Sequence, residues 1–405
     1  TSINLALPQL KSNIQRVFSP NTFVGGVHQD NKCGVWAMAH EDSHYGTGLQ
    51  FKKSIFFFES GLMVCLGSDI SSAYASKTQS TLLQNVLSSS DYTFAVNGKT
   101  VSETDYTYSP QNGPVTILDN QGKGIYVPMD THLNITRGIQ NSETMRCQES
   151  SGDVITAWFN HASDNSYEYA ILMKATPDEL EDMVATPSYE VVRQDEKAHI
   201  VSLPGTKQTA YALFDSKVEL TSGLIKSSTL PIMAMVSQLA NGHQKISICN
   251  PDFNRNKPRD IGDVNTFDEL FGPFQPQTLQ IELRDAWDVE SLPANMKIIA
   301  KSAETTILEI ETHDALSYTI TLQPDTSTSL FHSDGMQQMA WPNPVTQDIH
   351  FHSVEQAHIF TLEGTLLASG ENISSFNMTN YQTGTYLLKL VNGSNSQTVK
   401  IIKTK

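Results

Sequence analysis

The sequence predicts an all-β protein, in which a large antiparallel β-sandwich is followed by a smaller β-sandwich and a small C-terminal β-sandwich. Three observations support this prediction. Short apolar runs recur along the 405 residues, turn sequences that contain glycine separate the runs, and one segment alone has the end signals of a helix. The hydrophobic share of 39% suits a folded chain, whereas charged residues, at 17%, are sparse.

The first pair of apolar runs covers residues 51–58 and 62–66. The tripeptide Glu59-Ser60-Gly61 separates them, and its glycine suits the positive φ of a short hairpin loop. Each run has apolar side chains on both faces of the predicted strand. The pair therefore indicates a sheet that is covered on both sides, as in the middle of a sandwich.

Further along the chain, turn and helix signals complete the pattern. Asn97-Gly98 and Asn241-Gly242 are dipeptides typical of two-residue hairpin turns. The predicted helix begins after Thr176, which is a good N-cap, and has Pro177 in its first turn. The acidic residues at 178–179 suit the positive end of the helix dipole.

A chain of this length exceeds one ordinary core, so several domains are expected. Two seams divide it. Residues 250–260 are polar and contain prolines, and residues 323–329 are rich in serine and threonine. These seams predict three domains, at 1–250, 251–325 and 330–405.

The net charge of −16 limits the possible partners. An acidic surface repels polyanions at long range, which disfavours nucleic acid, anionic membranes and a polyanion cleft wholly on this chain. No run of eighteen apolar residues occurs, so no membrane span is predicted. The start, Thr1-Ser2-Ile3, lacks the features of a signal peptide, which predicts a mature fragment or a piece of a longer precursor.

The four cysteines, Cys33, Cys65, Cys147 and Cys249, are even in number but widely spaced. Cys65 and Cys249 lie inside apolar runs. Buried free thiols are therefore favoured over a disulfide framework, which stays open as the alternative.

Neither a cofactor nor a metal site is predicted. The chain has no glycine-rich phosphate loop, no paired-cysteine zinc signature and no Gly-x-Ser-x-Gly elbow. His40 and His44 have the i,i+4 spacing of metal ligands on a helix. The polar residues 41–43 and Tyr45 nevertheless indicate a loop between strands, so a metal site there is the weaker interpretation.

A catalytic constellation is not evident either. His161 and Tyr167 are close in the sequence, but no arginine is near them, and Arg137 and Arg146 are isolated. Four aromatic side chains could stack on sugar rings: Trp36, Trp158, Tyr167 and Tyr169. Because Trp36 and Trp158 lie in apolar strands, core packing is favoured for both, and stacking stays open as the alternative.

Several motifs together resemble polysaccharide lyase family 8, most closely its chondroitin ABC lyase branch. The resemblance spans about 250 residues, and each motif alone is weak. In chain order the motifs include Thr22-Phe-Val-Gly-Gly26, Cys33-Gly-Val-Trp-Ala-Met38, Lys52-Lys-Ser-Ile-Phe-Phe-Phe58, Val64-Cys-Leu-Gly-Ser-Asp-Ile70, Ala157-Trp-Phe-Asn-His161 and Ile248-Cys-Asn-Pro-Asp-Phe253.

The resemblance implies a secreted glycosaminoglycan lyase that acts by β-elimination on an acidic polysaccharide, chondroitin or dermatan sulfate. The family's catalytic His, Tyr and Arg belong to an α-helical toroid in front of this region, and its glutamate precedes an Asn-Arg-x-Pro-Gly-Thr motif that this chain lacks. No catalytic residue is therefore assigned here, and the chain alone is expected to be inactive. The loop with His40, His44 and Tyr45 is predicted to face the sugar, with a plain surface loop as the alternative.

The C-terminal part resembles the sorting domains of the bacterial type IX secretion system. Pro342-Asn-Pro344 is similar to the opening of such a domain, and Ile359-Phe-Thr-Leu-Glu-Gly364 and Gly384-Thr-Tyr-Leu-Leu-Lys-Leu390 to its strands. This resemblance implies that the secretion machinery is a partner and that the protein is extracellular or on the cell surface.

Two other functions stay open at this point. A non-catalytic carbohydrate-binding or adhesive β protein would have the same strand pattern. Within the lyases, hyaluronate or xanthan specificity is also compatible with these motifs.

Overall fold

A computed structural model describes residues 19–42, 46–87, 92–143, 149–254, 274–325, 340–362, 364–392 and 395–405. The chain is nearly all β, which confirms the predicted fold class. It forms two compact units, Thr1–Pro324 and Asp325–Lys405.

The first unit contains 24 strands and one α-helix in its described residues. The strands are β1 Val24–Gln29, β2 Cys33–Glu41, β3 Gln50–Phe57, β4 Leu62–Ser71, β5 Gln79–Val86, β6 Phe94–Val96, β7 Lys99–Thr100, β8 Tyr106–Thr107, β9 Val115–Asp119, β10 Lys123–Val127, β11 Leu133–Glu143, β12 Glu149–Asn160, β13 Tyr167–Met173, β14 Glu190–Gln194, β15 Ala198–Leu203, β16 Gln208–Leu213, β17 Ile225–Ser228, β18 Ile232–Gln238, β19 Gln244–Cys249, β20 Gln277–Arg284, β21 Trp287–Val289, β22 Met296–Lys301, β23 Thr305–Thr312 and β24 Ser317–Pro324. The helix is α1 Pro177–Ala185, and short 3₁₀ turns span Ala75–Lys77, Pro204–Thr206 and Ala240–Gly242.

These strands form four sheets. Sheet A has the order β1-β2-β3-β4-β13-β10-β9-β6-β7, and sheet B has the order β5-β12-β11-β8. Sheet C has the order β14-β15-β16-β18-β19-β24-β21, and sheet D has the order β17-β20-β23-β22. Every pairing between these strands is antiparallel, both where a short loop joins the neighbours, as for β1 and β2, and where the neighbours are distant in the sequence, as for β4 and β13.

The four sheets stack in the order B, A, C, D, with an apolar layer between each neighbouring pair. Successive side chains of a strand point to opposite faces, so the two faces of sheet A enter different layers. Val64 of β4 packs toward sheet C, in one cluster with Met233, whereas its neighbour Cys65 packs toward sheet B, in another cluster with Ile155. A third cluster, which includes Ile248 of sheet C, joins that sheet to sheet D.

Strand pairing crosses the boundary that was predicted at residue 250. Strand β19 pairs with β24, and β17 pairs with β20, so residues on both sides of position 250 share sheets C and D. The division into three domains stays a prediction. The sheets place residues 190–249 and 277–324 in one pair of layers.

The predicted turns and helix are present. Gly61 has φ +84°, and Asn97 and Gly98 have φ +49° and +71° in the turn between β6 and β7. Thr176 caps α1 in a capping box, in which its hydroxyl accepts from the Glu179 N–H at 3.3 Å and its own N–H donates to Glu179 Oε2 at 2.8 Å. No helix in the described ranges has both the length and the apolar character that a membrane crossing requires.

The second unit has one five-stranded sheet in its described residues. Its strands are β25 Ala340–Trp341, β26 Asp348–Phe360, β27 Leu366–Asn377, β28 Gly384–Asn392 and β29 Asn395–Lys403. The long strand β26 alternates strictly at its start, where Ile349 and Phe351 are buried and His350 and His352 are exposed. That alternation gives the sheet one apolar face and one polar face.

Three of the cysteines are free and buried, as predicted: Cys33, Cys65 and Cys249. Burial raises the pKa of the Cys65 thiol to about 11 and that of Cys249 to about 12, so both are protonated at neutral pH. Cys147 lies outside the described residues.

Candidate functional site

Sheet B has four strands and sheet A has nine, so sheet B covers only part of sheet A. The buried cluster between them draws its sheet A residues from β4, β13, β10, β9 and β6. In the described residues the same face of β1, β2 and β3 is exposed or half-buried, with Phe51 and Ile55 packed against the edge of that cluster, and we call it the open face. Its side chains are Val24, His28, Trp36, Met38, His40, Phe51, Lys53, Ile55 and Phe57.

The alternation in β2 shows which residues point to the open face. Val35, Ala37 and Ala39 are buried toward sheet C, whereas the residues between them, Trp36 and Met38, are half-buried on the other side. The interpretation of Trp36 as a core residue is therefore wrong. Sequence periodicity alone did not reveal this, because the residues on both faces of β2 are largely apolar.

Trp36 lies at the centre of the open face. Its cross-strand neighbours are Gly26 on β1 and Ile55 on β3. Gly26 has no side chain, so the residue directly opposite the indole on β1 does not cover it. Val24 and Phe57 are 48% and 37% exposed on the same face. A flat surface with an accessible indole suits the C–H face of a sugar ring.

The open face also carries a cation. Lys53 lies opposite Met38 and Gly67 and forms no ion pair within the described ranges. Its neighbour Lys52 points to the other face, where its ammonium lies 3.5 Å from Asp69 Oδ2 and 5.8 Å from the centre of the Phe214 ring. Of these two adjacent lysines, Lys53 is thus the one available to an anionic ligand.

Of the three residues predicted to contact sugar, the structure describes one. His40 ends the open face on β2, and its ring stacks on Phe51 with centroids 5.1 Å apart. His44 and Tyr45 lie outside the described residues. Sugar contact by His40, His44 and Tyr45 therefore stays a prediction.

The loop that follows β2 is tied to the loop that follows β4. Asp42 accepts hydrogen bonds from the backbone N–H of Thr47, at 2.8 Å, and from its hydroxyl. The Thr47 carbonyl in turn accepts from the Ala73 N–H at 2.7 Å. Next to Ala73, the Tyr74 side chain is 56% exposed. These two loops form a polar rim at the end of β2, β3 and β4.

His161 and Tyr167 are both engaged in the interior. His161 Nδ1 bonds to the Asp164 carbonyl and Nε2 to the Ser80 hydroxyl, each at 2.9 Å, and burial lowers the pKa of this imidazole. Burial raises the pKa of the Tyr167 phenol far above its usual range. Both side chains are consequently neutral at pH 7, and neither is placed to exchange a proton with a ligand at the surface.

The arginines do not complete an acid–base set in the described ranges. The Arg137 guanidinium pairs with Asp153 at 2.9 Å and donates to the backbone carbonyls of Val101 and Ser102. Arg146 lies outside the described residues. Among the described side chains, no group of three or more His, Cys, Asp or Glu residues is placed to hold a metal ion.

Comparison with known proteins agrees with this arrangement of stacked sheets. Residues 2–184 match the family model described as polysaccharide lyase family 8, super-sandwich domain. This part of the chain is thus similar to the super-sandwich domain of polysaccharide lyase family 8. Residues 339–404 match a secretion system C-terminal sorting domain, so the protein is exported by the type IX secretion system.

Two curated proteins to which the chain is similar are chondroitin lyases. It is 26% identical over 352 residues to the chondroitin sulfate ABC exolyase of Bacteroides thetaiotaomicron, which covers 80% of the chain and 33% of the relative. It is 25% identical over 247 residues to the chondroitin sulfate ABC endolyase of Proteus vulgaris, which covers 58% of the chain and 23% of the relative. The chain thus spans a third or less of these relatives.

The fold also occurs in a solved structure of a Paenibacillus xanthan lyase. The TM-score is 0.60 with 17% sequence identity, and the match covers 94% of this chain and 42% of the xanthan lyase. At this identity the likeness concerns the fold alone.

Proposed function

We propose that this chain is the β portion of a glycosaminoglycan lyase that cleaves chondroitin or dermatan sulfate by β-elimination. In this proposal the chain has no catalytic residue of its own, and a helical toroid outside it supplies them. The open face is the observation that carries the proposal, because among the described residues its aromatic and cationic side chains are only half-buried or exposed, on a sheet whose strands β4, β13 and β10 have buried residues on both faces. The names of the two curated relatives support the substrate class.

β-Elimination requires catalytic groups that a surface which only binds the substrate does not need. The reaction needs a group that neutralises the uronate carboxylate, a base for the proton on C5 and an acid for the leaving oxygen. The open face offers a stacking surface in Trp36 and a cation in Lys53, which together suit the binding of an acidic sugar. Its groups do not include a matched acid and base, so we assign it the role of one wall of the substrate cleft.

The net charge of the chain is consistent with its forming one side of the substrate cleft rather than the whole cleft. With a net charge of −16, the chain repels a polyanion at long range. Binding then depends on a few local cations, and the further positive charge has to come from the portion that bears the catalytic residues. We place the loop with His40, His44 and Tyr45 at the rim of this wall.

Reconstitution tests the proposal. The isolated chain is mixed with chondroitin sulfate, and the ultraviolet absorbance of the unsaturated uronate product is followed. We expect no rise, and we expect a rise once the separately produced N-terminal portion of the same enzyme is added. Parallel assays with dermatan sulfate, hyaluronan and xanthan define the specificity. A rise with the isolated chain would place a complete active site within these 405 residues and overturn the proposal.

Substitution of the wall residues provides the second test. In the reconstituted enzyme, Trp36→Ala and Lys53→Gln are each expected to raise KM by about tenfold, because each removes roughly 1.4 kcal/mol of substrate binding. Because neither side chain touches the reacting atoms, kcat is expected to change little. Trp341→Ala is the matched control, since Trp341 is 38% exposed in the second unit.

Steady-state kinetics with chondroitin sulfate measures both constants. Unchanged KM values in Trp36→Ala and Lys53→Gln would remove the open face from the cleft. His44→Ala and Tyr45→Ala belong to the same series, and unchanged kinetics in both would show that their loop is an ordinary surface loop.

A further inference from the structure

A polar depression lies on the side of the A–C pair of sheets that is opposite the open face. It consists of two connected lobes of about 500 and 390 Å³, which share Ser202, Thr209, Tyr211 and Gly223. Ile200 and Tyr211, which line the first lobe, belong to the cluster between sheets C and D. The depression therefore occupies the face of sheet C that points away from sheet A. We call it the C-sheet groove.

The smaller lobe has a composition that suits a sugar. Hydroxyl and amide groups from Ser202, Thr209, Gln238 and Gln244 line its walls, and these groups both donate and accept hydrogen bonds. Trp287, with only 7% of its surface exposed, contributes an aromatic part of the lining. Binding sites for small molecules combine an apolar floor with a few convergent polar groups in this way.

Two cations line the same lobe without a carboxylate partner in the described part of the chain. Lys207 is exposed and follows the 3₁₀ turn Pro204–Thr206. Arg284 is half-buried, and its Nη2 group donates to the Leu220 carbonyl. One carboxylate, that of Asp285, also lines the lobe. The smaller lobe therefore has one net positive charge, on a chain whose net charge is −16. The larger lobe adds Arg193, Glu190 and Glu219, so the anion-binding part of the groove is the smaller lobe.

The guanidinium of Arg284 has an unused donor. Its Nε atom is fully buried and has no hydrogen-bond partner among the described residues. A buried donor without a partner typically costs about 1–3 kcal/mol. Because Arg284 lines the lobe, a small rearrangement that turns this N–H toward an anionic ligand would recover that free energy. The unused donor is therefore a second observation, independent of the groove's shape, that indicates an anion.

We propose that the C-sheet groove binds one anionic sugar unit of an acidic polysaccharide, with Arg284 and Lys207 on its carboxylate or sulfate group. The identity of the polymer rests on the proposed function. The groove faces away from sheet A and the open face lies on the far side of sheet A, so the two sites are distinct. The groove then retains the polymer without taking part in its cleavage.

Calorimetric titration of the whole chain with a chondroitin sulfate tetrasaccharide tests this site. The titration is carried out in a Trp36→Ala background, which removes the main contact of the open face. We expect binding that Lys207→Gln weakens by about five- to tenfold, the effect of losing one charge-assisted contact of about 1–1.4 kcal/mol. Lys99→Gln is the control, because Lys99 is an exposed lysine on the short strand β7 of sheet A. Affinity in Lys207→Gln equal to that of the control would overturn the proposal.

Two further arms identify the anionic group and separate this proposal from the lyase assignment. A hyaluronan tetrasaccharide carries carboxylates without sulfates, so equal affinity for it would assign the contact to the carboxylate, and weaker affinity would assign it to the sulfate. A neutral tetrasaccharide is expected not to bind, and binding of equal strength would overturn the proposal.

In the reconstituted enzyme, Lys207→Gln is expected to leave cleavage of a short oligosaccharide unchanged. If the lyase assay fails while Lys207→Gln still weakens tetrasaccharide binding, the proposed function fails and the groove stands.

Arg284→Lys is the second groove variant, which keeps the positive charge but removes the buried Nε donor. Its affinity is expected to fall relative to the control, provided that the far-ultraviolet circular dichroism matches that of the parent chain. Unchanged affinity in a folded Arg284→Lys variant would remove Arg284 from the site.

Discussion

Replacing Gly67 with alanine is expected to destabilise the first unit by about 3 kcal/mol. Gly67 lies on β4 directly opposite Tyr167 on β13, and the tyrosine ring occupies the space above its Cα. A Cβ atom at position 67 would lie 2.6 Å from both Cδ1 and Cζ of that ring. Tyr167 is buried between Phe159, with ring centroids 5.8 Å apart, and Tyr169, at 5.9 Å, so it has little room to move.

Urea denaturation followed by tryptophan fluorescence measures this loss of stability. Gly205→Ala is the matched control, because no atom lies within 4 Å of the Cβ that alanine would place there. The control is expected to remain within about 0.5 kcal/mol of the parent chain. If both variants have the same stability, the Gly67–Tyr167 contact does not limit the packing between sheets A and B.

Lowering the pH is expected to destabilise the first unit through His199. This imidazole is fully buried between sheets A and C, where Nδ1 contacts the Ser54 hydroxyl at 2.7 Å and Nε2 contacts the Ser68 hydroxyl at 2.8 Å. Ser68 donates its own hydrogen to the Asp195 carbonyl, so it accepts from Nε2, and Nδ1 accepts from Ser54. The neutral imidazole therefore satisfies the whole network, and an added proton on Nδ1 would break it.

The sign of the effect follows from the two pKa values. Burial is the main cause that lowers the pKa of His199 from 6.5 to about 3; the Asp195 charge opposes this shift and the Lys52 charge adds to it. Above pH 6.5 the side chain is neutral in the folded and the unfolded chain. As the pH falls from 6.5 toward 3, the unfolded chain gains a proton that the folded chain does not. Stability then decreases by about 1.4 kcal/mol per pH unit, to a total of up to about 5 kcal/mol.

A series of urea titrations between pH 7 and pH 4 measures this dependence. In His199→Gln, which cannot titrate, the slope of stability against pH is expected to be shallower by about 1.4 kcal/mol per unit. His28→Gln is the control, since it removes an exposed histidine of the open face and leaves the buried one in place. Parallel slopes in the parent chain and His199→Gln would show that His199 is not buried as a neutral group.

Much of the fold was predictable from local signals. Asn97-Gly98 forms the predicted turn, Thr176 caps the predicted helix, and residues 62–66 lie in a sheet covered on both faces, as predicted. In residues 51–58 one face is buried toward sheet C, whereas the other is half-buried or exposed, which differs from the prediction. Each of these signals depends on residues that are adjacent or a few positions apart. Local chemistry fixes such elements, so the sequence is enough to predict them.

The candidate site depends on contacts over long sequence distances. Ser54 and Ser68 belong to two of the motifs that resemble family 8, but their shared partner His199 is 131 residues beyond Ser68. The exposure of Trp36 depends on the width of sheet B, which no pattern within β2 specifies. The groove combines Lys207 and Arg284 from strand ends of two different sheets. Periodicity predicts which face of a strand is apolar but not which neighbour covers it.

Sheets C and D each contain strands from before and after residue 250, so these two sheets can be completed only after sheets A and B. Sheets A and B complete their strand pairing within residues 24–173, whereas β19 finds its partner β24 only once residue 324 is available. A chain that emerges with its N-terminus first therefore leaves the edge of β19 unpaired while residues 250–324 follow. At about 5–20 residues per second that interval lasts roughly 4–15 s. During it the edge can pair with another chain, so the period of greatest risk of misassembly falls before sheet C closes.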